Sequence, residues 1–322
     1  MAVSSKRLFF PIYAIISVKS SPETRNHIIS CVFVLRYGYR RALSSMKQNR
    51  LVAPVLKWVG GKRQLLPEIV KRIPDFSTYY EPFVGGGAVL FSLQPQKAVI
   101  NDISRELMNV YQVIKDHVDE LIEDLKKHKN EKEYFYRIRE LDRDKKHYES
   151  LSKVERASRI LYLNKTCYNG LFRVNKAGEF NTPFGNYRNP SIVNEPTLRA
   201  VSSYFNQADI TFLCCDYEQA LKTIRKGDFV YFDPPYDPVS DSANFTGYDK
   251  GGFDRTEQIR LKSVCDKLNA RGIKFLLSNS ATEFILDLYK DYKIEIIQAK
   301  RAINCNPSKR GEVDEVLVRN YE

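Results

Sequence analysis

None of the six cysteines, at positions 31, 167, 214, 215, 265 and 305, stands in a Cys-x-x-Cys pair, and none has a neighbouring histidine to complete a metal site. That excludes the common zinc frameworks and leaves the expectation of reduced core thiols in a cytosolic protein. Long apolar runs are also lacking. The longest near the N-terminus, Leu8 to Val18, follows Lys6 and Arg7 but is interrupted by Pro11. It is shorter than the ~20 residues that cross a bilayer, and no small-x-small cleavage site follows it, so neither a membrane span nor export is expected. Gly-Lys-Ser/Thr occurs nowhere, which argues against a nucleoside triphosphatase, and there is no internal repeat or low-complexity tract.

What is present is the balance of a folding globular chain: 322 residues, 43% hydrophobic, 12% aromatic and 28% charged. That length exceeds one average domain, so a catalytic domain with a smaller inserted module is expected. The net charge of +12 is unevenly spread, because the first fifty residues hold many basic side chains against one acid, Glu23. The remainder is only weakly basic, so charge alone does not decide for or against nucleic acid. A second methionine, Met46, precedes the well-patterned sequence, and residues 1–45 are expected to be an upstream misassigned start or a disordered tail.

From Ala53 onward short apolar runs alternate with amphipathic stretches, which predicts an α/β fold built on one open, mixed, seven-stranded sheet. The expected strands are 79–84, 98–101, 210–214, 229–232, 273–278, 294–298 and 315–319. No helical pattern separates the last two, so they are expected to pair antiparallel. The alternation breaks after Lys115. A charged helical stretch is expected from 116 to about 165, and within it the alternating charges of Glu123, Lys126, Lys127, Lys129, Glu131, Lys132 and Glu133 read as a solvated face. Residues 168–185 then present apolar positions flanking Lys176-Ala177-Gly178, the pattern of a β-hairpin. The expected division is a catalytic domain from 46–115 and 209–322, with an inserted module at 116–208.

Three segments carry chemistry. Asp233-Pro234-Pro235-Tyr236 follows the apolar strand at 229–232, placing a carboxylate at the carboxyl edge of the sheet, where open α/β folds bind ligands. Asp-Pro-Pro is also a good loop starter. Glu81-Pro82-Phe83-Val84-Gly85-Gly86-Gly87 ends the first strand, and its glycines let backbone approach a ligand closely. Asp102 closes the second strand, where an acid can accept the ribose hydroxyls of a nucleoside, or cap the helix beginning at Ser104. Finally, Lys57-Trp58-Val59-Gly60-Gly61-Lys62-Arg63 is expected to open a helix through Leu65, Leu66, Ile69 and Ile73. Its glycines and Lys62 favour an anionic group there, and Trp58 serves either the core or the ligand.

With these segments in this order, the chain resembles the Dam-type, DpnM-like DNA adenine-N6 methyltransferases. The resemblance rests on Lys57-Trp58-x-Gly60-Gly61-Lys62, on Glu81-Pro82-Phe83-Val84-Gly85-x-Gly87, and on Asp233-Pro234-Pro235-Tyr236 with Asn244-Phe245-Thr246. Tyr168-Asn169-Gly170-Leu171-x-Arg173-x-Asn175 and Gly178-Glu179-Phe180-Asn181-x-Pro183-Phe184-Gly185 extend it through the insertion, so it covers Lys57 to Tyr321. It implies a Rossmann-like methyltransferase fold, S-adenosylmethionine as cofactor and double-stranded DNA as partner, without metal or membrane. The cofactor would lie over the glycine loop, near Trp58, Lys62, Phe83, Gly85 and Asp233, with Asp102 on its ribose and Asp216 and Tyr217 around its adenine.

The same resemblance implies that Asp233 and the Pro234 carbonyl hold the amine of a flipped adenine stacked on Tyr236. Arg173 would read a guanine edge, Tyr168 would wedge beside the flipped base, and Lys57 would touch the start of a GATC site, with Asn169, Asn175 and Pro183 flanking. The family commonly has Gly-Arg-Tyr where this chain has Gly185-Asn186-Tyr187, which removes one expected DNA contact. Direct transfer fits the lack of a Pro-Cys nucleophile of the cytosine-C5 type. A companion restriction endonuclease, acting separately, is a further partner the resemblance allows. RNA or protein-amide methyltransferases compete for this chemistry, but they more often carry Asn-Pro-Pro-Tyr and lack both the Lys57–Lys62 segment and the insertion. A non-catalytic DNA-binding protein with a vestigial pocket is the other alternative, which the intact Asp233 to Tyr236 disfavours.

Overall fold

The computed structural model describes residues 48–58, 60, 62, 64–239, 252–300 and 312–322. The N-terminal segment discussed above and Asn244-Phe245-Thr246 lie outside the described residues.

Seven strands form one sheet in the order β3-β2-β1-β4-β5-β7-β6. They are β1 (Tyr79–Glu81), β2 (Lys97–Asn101), β3 (Asp209–Leu213), β4 (Phe229–Phe232), β5 (Lys274–Ser280), β6 (Lys293–Lys300) and β7 (Glu312–Arg319). The strands β1 to β5 pair in parallel, whereas β7 runs antiparallel to both β5 and β6, as the short connection predicts. The order reverses between β1 and β4, and their carboxyl ends carry the glycine loop and the Asp-Pro-Pro-Tyr segment side by side. The first strand ends at Glu81 rather than at 84, because Pro82 has no N–H for the ladder. Val84 instead donates from the loop to the Asn101 carbonyl.

Both faces of the sheet are covered. Tyr79, Phe229, Tyr231, Leu276 and Leu317 point into one apolar cluster, and their chain neighbours Tyr80, Val230, Phe232, Leu277 and Val318 into the other. This period of two, with apolar residues on both sides, is what makes the central strands read as continuous hydrophobic runs. The helices are α1 (Leu66–Arg72), α2 (Ala88–Leu93), α3 (Arg105–Asp116), α4 (Val118–Leu125), α5 (Lys132–Arg139), α6 (Lys145–Ser150), α7 (Lys153–Thr166), α8 (Glu195–Gln207), α9 (Tyr217–Ala220), α10 (Arg255–Ala270) and α11 (Glu283–Leu288).

The expected helical stretch after 116 is thus broken into α4 to α7; the alternating charges from Glu123 to Glu133 are exposed as expected, whereas α7 is mostly buried. It opens with a reciprocal capping box between Ser152 and Glu155. It is buried on nearly every side, packing against α3 and α4. Ile160 and Leu161 join the main cluster, while Tyr162, Leu163 and Cys167 join Phe135 and Phe180 in a small core beneath the 168–185 segment. That segment folds back on itself as expected but is held by single antiparallel bridges, Cys167 to Phe184 and Val174 to Phe180, rather than by continuous strands. Scattered backbone bonds, such as Asn175 N–H to Glu179 and Asn181 N–H to Arg173, are supplemented by side chains: Thr182 donates to the Leu171 carbonyl, and Arg173 Nε to Asn181 Oδ1 at 2.8 Å.

The thiols divide. Cys167 and Cys265 are buried, and burial pushes the Cys167 thiol up to about 12. Cys214 is exposed, contrary to the core placement expected of it, because β3 is an edge strand.

Candidate active site

At the carboxyl end of β4 the Asp233 carboxylate meets Lys62, whose Nζ lies 2.7 Å from Oδ1. The same ammonium donates to the Gly60 carbonyl at 2.7 Å and stands 4.5 Å from the centre of the Tyr236 ring. Tyr236 in turn donates its hydroxyl to Glu315 of β7 at 2.8 Å. Burial raises the Asp233 carboxyl to about 6; Lys62 opposes the rise and Glu315 adds to it. Glu81, buried in the same corner and accepting from the Tyr79 hydroxyl at 2.9 Å, is pushed well above the usual carboxylate range, again by burial first. Three acids, Asp233, Glu81 and Glu315, one ammonium and the Tyr79 and Tyr236 phenols therefore share a corner largely withdrawn from water.

Lys62 reaches this corner from a loop. The helix expected to begin just after the Gly60 turn starts only at Leu66, with Pro67 in its first turn, so Gly60 and Lys62 do not sit at a helix N-terminus. The sequence-based anion site at that helix is not built, and the positive charge is directed at Asp233.

Beside it, the glycine loop is closed by three contacts. Gly85 N–H donates to Asp102 Oδ2 at 3.1 Å, Ser104 N–H donates to Asp102 Oδ1 at 2.9 Å, and the Tyr111 hydroxyl donates to the Gly85 carbonyl at 2.6 Å. Ser104, not Asp102, caps α3. Trp58 lies against this loop: Gly85 has φ +47°, and a Cβ there would come within 2.9 Å of the indole. The other edge of the site is aromatic, with Phe83 5.1 Å from Tyr217 and 5.7 Å from Phe253, ring centre to ring centre. Asp216, at the start of α9, accepts both terminal nitrogens of Arg260, at 2.9 and 2.7 Å, and the Glu218 N–H. The guanidinium lies 4.7 Å from the Tyr217 ring centre.

The residues expected to meet DNA lie apart from this corner, around the 168–185 fold. Tyr168 is 56% exposed, although its aromatic ring favours burial, and Lys57, Asn169, Arg173 and Pro183 are exposed as well. Asn169 and Asn186 both adopt left-handed backbone, φ +57° and +52°. Asparagine tolerates this region better than arginine does, which gives Asn186 a conformational reason at the position where the resemblance led to the expectation of Arg. Asn175 is engaged within the turn: its Oδ1 accepts from Ala177 and Glu179 N–H, and its Nδ2 donates to Glu179 Oε2.

Sequence reasoning missed the support of the Asp-Pro-Pro-Tyr loop. Gln258, fully buried in α10, donates to the Pro235 carbonyl at 2.8 Å and accepts from Asn279, which also accepts from the Asp237 N–H at 3.0 Å. Thr282 and Arg255 hold the Asp237 carboxylate, and the Ser280 hydroxyl donates to its carbonyl. The signal was available: Gln258 stands on the spacing of Leu261, Cys265 and Leu268, a polar side chain on an apolar stripe. Gln258→Leu leaves the Pro235 carbonyl and Asn279 unmatched, and should lower unfolding free energy by about 1–3 kcal/mol in a denaturant titration. A variant as stable as the parent would contradict that network.

Among the described residues, no helix is long and apolar enough to cross a membrane, and no group of three or more His, Cys, Asp or Glu is placed to hold a metal ion.

Comparison with known proteins places this geometry. The profile of the D12 class N6 adenine-specific DNA methyltransferases matches residues 58–303. The chain is 43% identical over 283 residues to a protein of Lactococcus lactis subsp. cremoris named Type II methyltransferase M1.LlaDCHI, covering 87% of this chain and 99% of that protein. It is likewise 43% identical over 291 residues to Type II methyltransferase M.MjaIII of Methanocaldococcus jannaschii, covering 84% and 99%. To a DNA adenine methylase of Serratia marcescens it is 35% identical over 277 residues, covering 84% and 98%. The seven-stranded mixed sheet fits the α/β fold of that family, and the chain belongs to the D12 class of N6 adenine-specific DNA methyltransferases.

Proposed function

We propose that the enzyme transfers a methyl group from S-adenosylmethionine to N6 of an adenine turned out of a DNA duplex, with GATC as its site. The observation that carries this reading is the half-buried Asp233 carboxylate paired with Lys62, whose ammonium also stands over the Tyr236 ring, at the point where the strand order reverses.

The residues present fit such a cofactor. The glycine loop brings backbone to the strand ends, with Trp58 packed against Gly85 and Gly86 and Phe91 against Gly87; Asp102 stands at the next strand end, and Phe83, Tyr217 and Phe253 offer an aromatic wall. In this reading Asp102 holds the ribose, Asp216 and Tyr217 border the adenine with Arg260 fixing Asp216, and Phe83, Gly85, Trp58, Lys62 and Asp233 line the remainder. Bound there, S-adenosylmethionine supplies an electrophilic methyl group. Everything else falls to the chain.

An exocyclic amine is a weak nucleophile because its lone pair is shared with the purine ring. Asp233 and the Pro234 carbonyl accept its two hydrogens, which favours a pyramidal nitrogen with its lone pair directed at the methyl carbon. Methyl transfer would break the sulfonium's C–S bond, leaving a neutral thioether, and would free one of those protons for Asp233, whose raised affinity for a proton suits that task. Tyr236 gives the flipped base a stacking surface, worth ~1–3 kcal/mol and comparable to the unstacking it must offset. Its hydroxyl is tethered to Glu315, so the ring is already oriented. An amine arriving at Asp233 takes the place of the Lys62 ammonium.

Residues 116–208 act as the recognition module. Arg173 offers a two-pronged donor to a guanine edge, Tyr168 an exposed wedge, and Lys57 a cation at the start of the site, with Asn169 and Pro183 alongside and Asn175 shaping the turn. The enzyme would then work in the cytoplasm on chromosomal DNA. The relatives named Type II methyltransferase support a separately acting restriction endonuclease as companion.

Expression of the full chain in a methylation-deficient host should protect its DNA from a nuclease that methylation of the adenine in GATC blocks, and leave cutting by an indifferent nuclease unchanged. Undiminished cutting by the blocked nuclease would remove GATC from the proposal. Arg173→Ala should lose about 1–3 kcal/mol of discrimination, roughly ten- to a hundredfold in kcat/KM between GATC and single-base variants. Equal loss at all sites would contradict its reading role.

A further inference from the structure

The dipeptide Lys57-Trp58 touches both halves of the proposed machinery. On one side Asn164, a side chain of α7 with 1% exposure, grips the Lys57 backbone twice: its Oδ1 accepts the Lys57 N–H at 2.8 Å, and its Nδ2 donates to the Lys57 carbonyl at 2.8 Å. The same Nδ2 donates to the Gly170 carbonyl at 3.0 Å, immediately before the hairpin. Gly170 has φ +65°, and a Cβ there would stand 2.4 Å from Lys57 Cδ, so the two segments are in direct contact. Trp58 then stacks on Phe172 of the hairpin, 4.7 Å between centres and 20° between planes, while its opposite contacts are Gly85 and Gly86 of the glycine loop. Phe172 continues inward to Phe180, 5.5 Å away.

We propose that Asn164 is a positioning residue that couples DNA recognition to cofactor binding, by holding Lys57-Trp58 as a shared wall between the hairpin and the glycine loop. The inference rests on the reading of those two segments given above. A duplex that settles Lys57 and the hairpin also settles Trp58, and through it the loop that receives the cofactor. By reciprocity the cofactor tightens the duplex by the same factor. Asn164 is suited to this because one planar amide satisfies two carbonyls and one N–H in a place without competing water. A carboxylate there keeps the acceptor and loses both donors.

The sole tryptophan of the chain, Trp58, supplies the readout. Binding of S-adenosylhomocysteine, which cannot donate methyl, is followed by Trp58 emission with and without a saturating GATC duplex, and duplex binding is measured separately by anisotropy. The parent should bind S-adenosylhomocysteine about tenfold more tightly with duplex present. In Asn164→Asp that ratio should fall to within about twofold of unity, with Kd in the absence of duplex changed much less. Phe172→Leu breaks the stack without touching the amide and should lower the ratio in the same direction, which covers the case of an Asn164 variant that fails to fold.

A parent ratio of one, or an unchanged ratio in both variants, would overturn the coupling while leaving the enzyme's function intact. Failure of the parent to bind S-adenosylhomocysteine or the duplex at all would overturn the functional reading, and the coupling with it.

Discussion

Asp233→Ala is expected to lower kcat by roughly three orders of magnitude while leaving cofactor affinity within a few-fold of the parent, the scale seen when one preorganised polar contact to a reacting group is removed. The reason is geometric: in the proposed mechanism this carboxylate both aims the amine's lone pair and takes its proton, and no neighbour replaces it. Burial pushes the Glu81 carboxyl well above the usual carboxylate range and it is tied to Tyr79, while Glu315 is occupied by the Tyr236 hydroxyl. Asp233→Asn keeps the size and one acceptor yet accepts no proton, so it should fall nearly as far. Since the folded-state carboxyl titrates above its unfolded value, its ionisation costs stability as pH rises through about 6. Asp233→Asn should therefore melt no lower than the parent above pH 7, separating loss of chemistry from loss of fold. Single-turnover methylation beside equilibrium cofactor binding measures both quantities. Parallel loss of the two would contradict the assignment.

The second large effect is on the pH profile. With Asp233 raised to about 6, the free enzyme holds the competent carboxylate only above that pH. On that basis kcat/KM should rise about tenfold per unit below 6 and level off above 7. The direction of change on removing Lys62 follows from its charge: the ammonium at 2.7 Å favours the carboxylate, so its loss makes the proton harder to remove. In Lys62→Met the acid limb should move upward by roughly one unit or more, and activity at pH 6 should fall more steeply than at pH 8.5. An acid limb that stays put, or moves downward, would show that Asp233 is not the group being titrated.

Much of this architecture is legible in the sequence, for identifiable reasons. Phe229-Val230-Tyr231-Phe232 is apolar on both faces and bounded by Asp228 and Asp233, so its place at the sheet centre and the carboxylate at its end follow directly. The antiparallel pairing of β6 and β7 follows from the absence of a helix-length connection. Prediction failed where polar side chains replace regular backbone bonding. Pro82 cuts β1 short, and bridges braced by Thr182 and Asn181 stand in for the strands of a regular hairpin. The buried interior of α7 left no signal in the charged stretch after 116, because Arg159 and Asn164 are polar residues whose burial depends on distant partners: two backbone carbonyls and Asp142 for Arg159, the Lys57 backbone and Gly170 for Asn164. Lys62 is the sharpest case. Its spacing from the glycines points to an anion at a helix end, whereas the helix begins only at Leu66 and Lys62 pairs with Asp233, 171 positions further along the sequence. Ion pairs of that sequence separation leave no periodic trace.

A crystal structure of the enzyme with a GATC duplex and S-adenosylhomocysteine tests the central claim most directly. The account predicts the target adenine outside the duplex, its N6 within about 3 Å of both an Asp233 carboxylate oxygen and the Pro234 carbonyl, with the Lys62 ammonium displaced from Asp233. An adenine still paired in the duplex, or an N6 bound elsewhere with the Lys62–Asp233 contact intact, would contradict it.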